Sequence, residues 1–413
     1  MKVRYLVISL LLISGSFFGC KSLFTNPVDT KTPVAKILVT SNTLNAGSYC
    51  ILDGSQSQKG EGDTLIYNWE ADQANPDQIN VFNDPVEKIT FVKEGLYKFR
   101  LSINNGKATS NTAQVEIKVN PRSSSVFEDP SLEAQVRYAL KIPVGNLTAQ
   151  DLLSLDSLAS YSIFTKPVYS LKGLENCTNL KFLHQNLQKI SEISSLTNLV
   201  KLEELTLSQN RVIKDITPLR NLTHLRKLDL QSNKVEDISA LENLTSLTYL
   251  NLIDNSIKSL APIGKLTNLN ELWLCYTQDN NISFIKNLNN LSLLWMPSCN
   301  INDVSPLKNM TNLRRINFDG NKISDITPII SIKLLEWLYL SDNQITDITP
   351  LEYLENLVRL RLWNNKITDI LPLIKNKGIG YGDSVGLFGN PLNDTSINVY
   401  ISELRERGVL VEW

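Results

Sequence analysis

From residue 158 onward the chain repeats itself about every 22 residues, and that period limits its possible folds more than any other feature. Leu225, Leu228, Leu230, Asn233, Val235, Ile238, Leu241 and Leu244 are echoed by Leu247, Leu250, Leu252, Asn255, Ile257, Leu260, Ile263 and Leu266. The starts fall at Leu158, Leu180, Leu202, Leu225, Leu247, Leu269, Leu291, Leu313, Leu335 and Leu357, with a single step of 23. A unit this short cannot bury its apolar face alone, so neighbours must stack on one another. Each unit is expected to supply a short strand, a turn and a helical or 3₁₀ return. Ten parallel strands at about 4.8 Å spacing then form one curved sheet. The ninth position carries Asn210, Asn233, Asn255, Asn321, Asn343 and Asn365, whose amides can satisfy backbone groups where the strand bends inward. Gln188, Thr277 and Cys299 stand at the same position in other units, so Cys299 reads as a small buried residue, and Cys177 occupies a core Leu position.

This pattern is that of the leucine-rich repeat, and the Asp-Ile-Thr-Pro segments beginning at Asp215, Asp325 and Asp347 resemble the 22-residue subclass found in bacterial internalins. The resemblance implies an α/β solenoid, a curved leucine-rich repeat stack with a parallel concave sheet, and a role in protein binding, adhesion or host recognition. Solenoid ends need caps. Asp129-Pro130-Ser131-Leu132-Glu133, followed by Val136 and Leu140, reads as a helical cap begun by Ser131 or Asp129. Far along the chain the period breaks at Gly378-Ile379-Gly380-Tyr381-Gly382, read as a flexible insertion, and resumes late with Val385, Leu387, Asn390 and Leu392. Asp394 to Arg407 then reads as a closing helix ended by Gly408.

Because side chains alternate along a strand, residues between and beside the inward leucines face the concave side. Those positions hold Tyr249, Trp273, Trp295, Arg315, Trp337, Tyr339, Arg359, Arg361 and Trp363, the candidate ligand-binding residues. Of the 6 Trp in the chain, all but Trp69 and Trp413 fall on this one face. Aromatic residues and Arg dominate interface hot spots, which argues for a binding surface. Two alternatives stay open: the rings could pack on one another as passive cover, or stack on a glycan. The earlier strands are more polar, with Glu204, Lys227 and Asp229.

Before the repeats, Tyr97-Lys98-Phe99-Arg100-Leu101-Ser102-Ile103 alternates as a half-buried strand, Asn104-Asn105-Gly106 turns the chain, and Val115, Ile117 and Val119 give another inward row. Leu52-Asp53-Gly54-Ser55, Tyr67-Asn68-Trp69 and Glu94-Gly95-Leu96-Tyr97 resemble the PKD family, which implies a small all-β Ig-like sandwich with Trp69 in its core. Asp53 and Asp63 are read as turn residues rather than metal ligands. At the start, Lys2 and Arg4 precede an apolar run to Phe18 that is shorter than the roughly 20 residues a spanning helix needs. Phe17-Phe18-Gly19-Cys20 resembles the lipobox of bacterial lipoproteins, which implies acylation of Cys20 and a stable membrane anchor.

The expected organisation is therefore a signal peptide (1–19), a tether (20–32), the PKD-like sandwich (33–120), a linker and helical cap (121–157), the repeats (158–392) and a helical C-terminal cap (393–413). With 2 His, 5 Cys and a formal charge of −1, the composition opposes a metal-dependent fold, a disulfide scaffold and a nucleic-acid partner. No catalytic constellation, cofactor motif or metal site emerges: His184 and His224 lack a placed nucleophile, and Cys275 is a lone concave thiol. The expectation is a lipid-anchored protein of the cell envelope, at the outer membrane or cell surface, that is not an enzyme and binds a protein ligand such as a host surface protein. The alternatives are a periplasmic or envelope scaffold with no host ligand, and a glycan-binding module.

Overall fold

The computed structural model describes residues 32–121, 125–143, 145–160, 163–277 and 279–413, and the chain divides into two compact units, Met1–Arg122 and Ser123–Trp413. The expected signal peptide, Cys20 and the tether up to residue 31 lie outside the described residues.

The first unit is a β-sandwich. One sheet holds Leu38–Val39, Tyr49–Asp53 and Val86–Thr90, the other Thr43–Asn45, Ala113–Asn120, Gly95–Asn104 and Ile66–Ala71. Alternation sets the core: Tyr97, Phe99, Leu101 and Ile103 are fully buried and share one core with Leu52 of the other sheet, Phe91 just past Val86–Thr90 and Ile117 of the adjacent strand. Trp69 is buried as expected, and its indole N–H donates to the Asp84 carbonyl at 2.8 Å, satisfying the one polar atom it takes inside. Asp53 accepts the Ser55 N–H at 2.8 Å, which is turn chemistry.

The second unit is a solenoid with a 12-stranded parallel sheet, strands side by side in chain order from Ser157–Ala159 to Leu410–Glu412. Nearly every return is a 3₁₀ turn, and Leu371–Lys375 is α-helical. Asp215, Asp325 and Asp347 each accept the N–H of the Thr two residues on at 2.8 Å. The carboxylate thus caps the return, with Pro in the first turn where no N–H is needed. Inside, strand leucines and return aliphatics form one continuous core.

The Asn ladder behaves as its position suggests. Asn343 donates to the carbonyls of Phe318 at 2.9 Å and Leu340 at 3.1 Å and accepts the Ile323 N–H at 2.9 Å, so one amide ties adjacent repeats together. Asn210, Asn255, Asn321, Asn365 and Asn390 repeat this. The residue before the ladder position is left-handed throughout, as in Gln209, Asp254, Gly320, Asp342, Asn364 and Gly389. Cys177 and Cys299 are fully buried and free.

Three expectations change. Leu158 pairs with Leu183, not with Leu180, so the first strand belongs to the cap and not to a regular repeat. The Gly378–Gly382 segment is packed at its start, where Asn376, fully buried, accepts the N–H groups of Gly378 and Ile379 and a Cβ at Gly378 would fall 1.7 Å from the Glu355 carbonyl oxygen, while Tyr381 beyond it is exposed. The closing helix begins as a π-helical turn, Ser396–Tyr400, continues as Ile401–Glu406, and is followed by a strand that the repeat pattern does not contain. At the other end Asp129 caps Pro130–Leu140 through the Ser131 and Leu132 N–H groups.

Candidate functional site

Register converts the repeat into rows. Strand positions 22 or 23 residues apart sit directly beside one another, so Tyr249, Glu271, Leu293, Arg315, Trp337 and Arg359 form one row across the sheet. Asn251, Trp273, Trp295, Asn317, Tyr339 and Arg361 form the next. With strands about 4.8 Å apart, flat side chains that are neighbours in a row must stack.

The structure brings four of the expected aromatic residues, Trp273, Trp295, Trp337 and Tyr339, into a single run. Trp273 and Trp295 stack with centroids 5.1 Å apart. Asn317 is short, so Trp295 reaches past it to meet Tyr339 edge-on at 5.8 Å, and Tyr339 lies parallel to Trp337 at 6.4 Å. The cations lie over this floor. Arg315 and Arg359, from the strands on either side of Trp337, place their guanidinium carbons 4.3 and 4.6 Å from its ring centroid. Arg361 lies 4.3 Å from the Tyr339 centroid and 5.3 Å from that of Trp363. Among the described residues none of the three guanidiniums has a carboxylate within 4.0 Å. The four Trp are half-buried, Tyr339 is buried and the three Arg are exposed, so the rings are partly covered by one another and by the cations.

Tyr249 stands apart from this run, with the Lys227 ammonium 5.4 Å from its ring centroid. The strand before it belongs to the more polar stretch, where burial pushes the Asp229 carboxyl above the usual range. Burial does the same to Asp319, which accepts the Ser341 N–H at 2.6 Å beside the aromatic run.

Trp363 lies at the strand's far end, in line with Phe388. Gly386 is required there, because a Cβ would stand 2.2 Å from the Trp363 indole nitrogen. Trp363, Phe388, Arg405, Val411, Glu412 and Trp413 line an open cavity of about 460 Å³, and the Trp363 indole nitrogen is buried without a hydrogen-bond partner among the described residues. Reading by repeat missed Phe388 and Trp413. The signal for Phe388 was present, since aligning Val385 with Leu360 puts it opposite Trp363.

Catalytic chemistry finds little material. His184 Nε2 lies 3.6 Å from a Glu204 carboxylate oxygen, and His224 Nδ1 lies 3.0 Å from the Val200 carbonyl oxygen. Cys275 is buried, not an open concave thiol, and burial pushes its thiol and that of Cys177 up to about 12, which leaves the nucleophilic thiolate scarce. Among the described residues no group of three or more His, Cys, Asp or Glu is placed to hold a metal ion. A second cavity, about 810 Å³, is lined by polar residues of the cap and returns, among them Glu128, Ser170, Glu175 and Glu192, rather than by the sheet face.

Two family profiles match this chain: "Leucine Rich repeats (2 copies)" at residues 200–243, 223–259 and 333–375, and "PKD domain" at residues 30–119. Among solved structures, an internalin (inlF) from Listeria monocytogenes is 30% identical, covering 70% of this chain and 91% of that one, with a TM-score of 0.58. The functional domain of InlJ from Listeria monocytogenes shares the fold at 22% identity and a TM-score of 0.51, over 69% of this chain and 60% of that one. A curated mouse protein, Dyslexia-associated protein KIAA0319-like protein, is 35% identical over 104 residues, which is 24% of this chain and only 10% of the mouse protein's length.

Proposed function

Because this chain belongs to the leucine-rich repeat proteins, with an internalin-like solenoid following a PKD domain, we propose that it binds a protein ligand on the concave sheet face and performs no catalysis. One observation carries this reading. Rings that only covered the sheet would need one another and nothing more, whereas here three exposed Arg place their guanidiniums over them without an ion-pair partner among the described residues. A preset aromatic surface with unengaged cations is what a hot spot consists of.

We propose further that the chain is a lipoprotein anchored through Cys20, with the PKD domain as spacer, and that the ligand is met at the cell surface in adhesion or host recognition. Protease treatment of intact cells addresses the last point: cleavage of the solenoid supports surface display, and full protection favours an envelope scaffold instead.

The binding reading is tested by immobilising the full chain, identifying the protein it retains, and repeating the measurement with Trp295→Ala plus Trp337→Ala. Removing the two rings forfeits about 0.5–1.5 kcal/mol of aromatic contact at each, so the variant should unfold at a modestly lower temperature yet remain folded. Its ligand binding should be lost. A folded double variant of undiminished affinity would place the site elsewhere.

A further inference from the structure

We infer that the C-terminal half of the sheet face takes an extended, carboxylate-bearing segment of a partner protein, gripped by Arg315, Arg359 and Arg361 above the Trp337 and Tyr339 rings. This rests on the protein-binding reading above and specifies the partner's chemistry.

The first argument is contrast. Elsewhere on the solenoid, cations pair with acids across neighbouring repeats: Arg314 with Glu336 at 2.6 Å, Lys258 with Glu236 at 2.5 Å, and Lys265 with Glu242. Arg314 is the chain neighbour of Arg315 and faces the other way, so the same repeat pairs one Arg and leaves the next unpaired. The row position that could have carried a Glu beside Arg315 carries Trp337 instead.

The second argument is geometry. A guanidinium stacked on a ring keeps its in-plane N–H edges available, and those edges match a carboxylate bidentately. Contact with the ring also restricts each guanidinium before binding, which lowers the ordering cost of association. Arg315 and Arg359 stand two strands apart, about 10 Å, while alternate residues of an extended segment rise about 7 Å on one face. The reach of Asp or Glu side chains spans the difference.

The third argument separates an acidic protein segment from a denser polyanion. Glu271 lies on the same row two strands before Arg315, and Asp319 exerts its field on Arg361. A uniformly sulfated glycan or a nucleic acid running along the face would meet these acids. A segment with a few carboxylates, with apolar side chains laid on Trp273 and Trp295, would not.

The test uses the full chain and a fluorescein-labelled short peptide alternating Glu and Thr, followed by anisotropy. Matched peptides carry Gln or Lys in place of Glu, and a sulfated heparin-derived hexasaccharide serves as competitor. The Glu peptide should bind at least about tenfold more tightly than the Gln peptide, weaken as salt rises, and lose at least about tenfold in the Arg315→Gln, Arg359→Gln, Arg361→Gln triple variant. Should that variant fail to fold, Arg359→Lys alone keeps the charge but loses the planar fork and should still weaken binding. Equal binding of the Gln peptide, no binding of the Glu peptide, or preferential binding of the hexasaccharide overturns the proposal. If the Trp double variant loses a captured protein while the Arg variants retain it, the binding face stands and the acidic partner falls. If neither set affects capture, both fall.

Discussion

Asn343 shows how much of the solenoid's cohesion resides in single side chains. Its amide donates to the Phe318, Leu340 and Ser341 carbonyls and accepts the Ile323 N–H, all in a buried setting. Asn343→Ala would strand several of these groups without water, so it should cost about 2–4 kcal/mol, read as a lower urea midpoint. A loss below about 0.5 kcal/mol would mean the ladder is ornamental. The ladder was legible because Asn recurs at a fixed repeat position. The left-handed residue before it was not, since Leu187, Gln209, Tyr276 and Gly320 share the conformation without sharing a chemistry. At Trp337 the sequence placed the ring on the right face, and counting one repeat either way leads to Arg315 and Arg359. What alternation alone could not say is that the guanidiniums lie on the ring, which depends on side-chain packing.

Among elements, the regular strands follow from the period, whereas both ends depart from it. The first strand is displaced because Leu158 belongs to the cap, and its register with Leu183 is set by the packing of Pro130–Leu140 and its neighbours. At the far end the packed loop at Gly378 shifts the register, which hid the alignment of Phe388 with Trp363. Leu410–Glu412 was illegible for another reason: three residues without a leucine pair carry no periodic signal, and their pairing is fixed by the helix before them. That strand completes the sheet edge. Leu410 N–H donates to Asp383, Leu387 N–H donates to Glu412 at 2.6 Å, and Val409 is buried. Ending the chain after Gly408 should therefore destabilise the last repeats by about 2–3 kcal/mol. Hydrogen exchange of the amides of 384–388 should accelerate before that of the central strands. Unchanged protection there would show that the closing helix alone caps the stack.

At the scale of the whole molecule, the solenoid and the sandwich set what the chain can present. Each repeat touches chiefly its neighbours, so a face built across many of them is wide and suited to a protein ligand. The proposed address rests on the first twenty residues. Lys2 and Arg4 supply the positive start, the apolar run is too short to cross a bilayer, and Cys20 closes the lipobox-like segment. If Cys20 carries several acyl chains, each buried methylene adds about 0.8 kcal/mol of membrane affinity, and more than one chain is what turns marginal attachment into stable anchoring. Cys20→Ala removes the thiol that the acyl chain needs and leaves the described residues untouched. The variant should therefore move from the membrane fraction to the soluble fraction, with its unfolding midpoint and ligand affinity unchanged. Retention in the membrane fraction would place the anchor elsewhere than Cys20, and loss of affinity on release would show that display on a membrane contributes to binding.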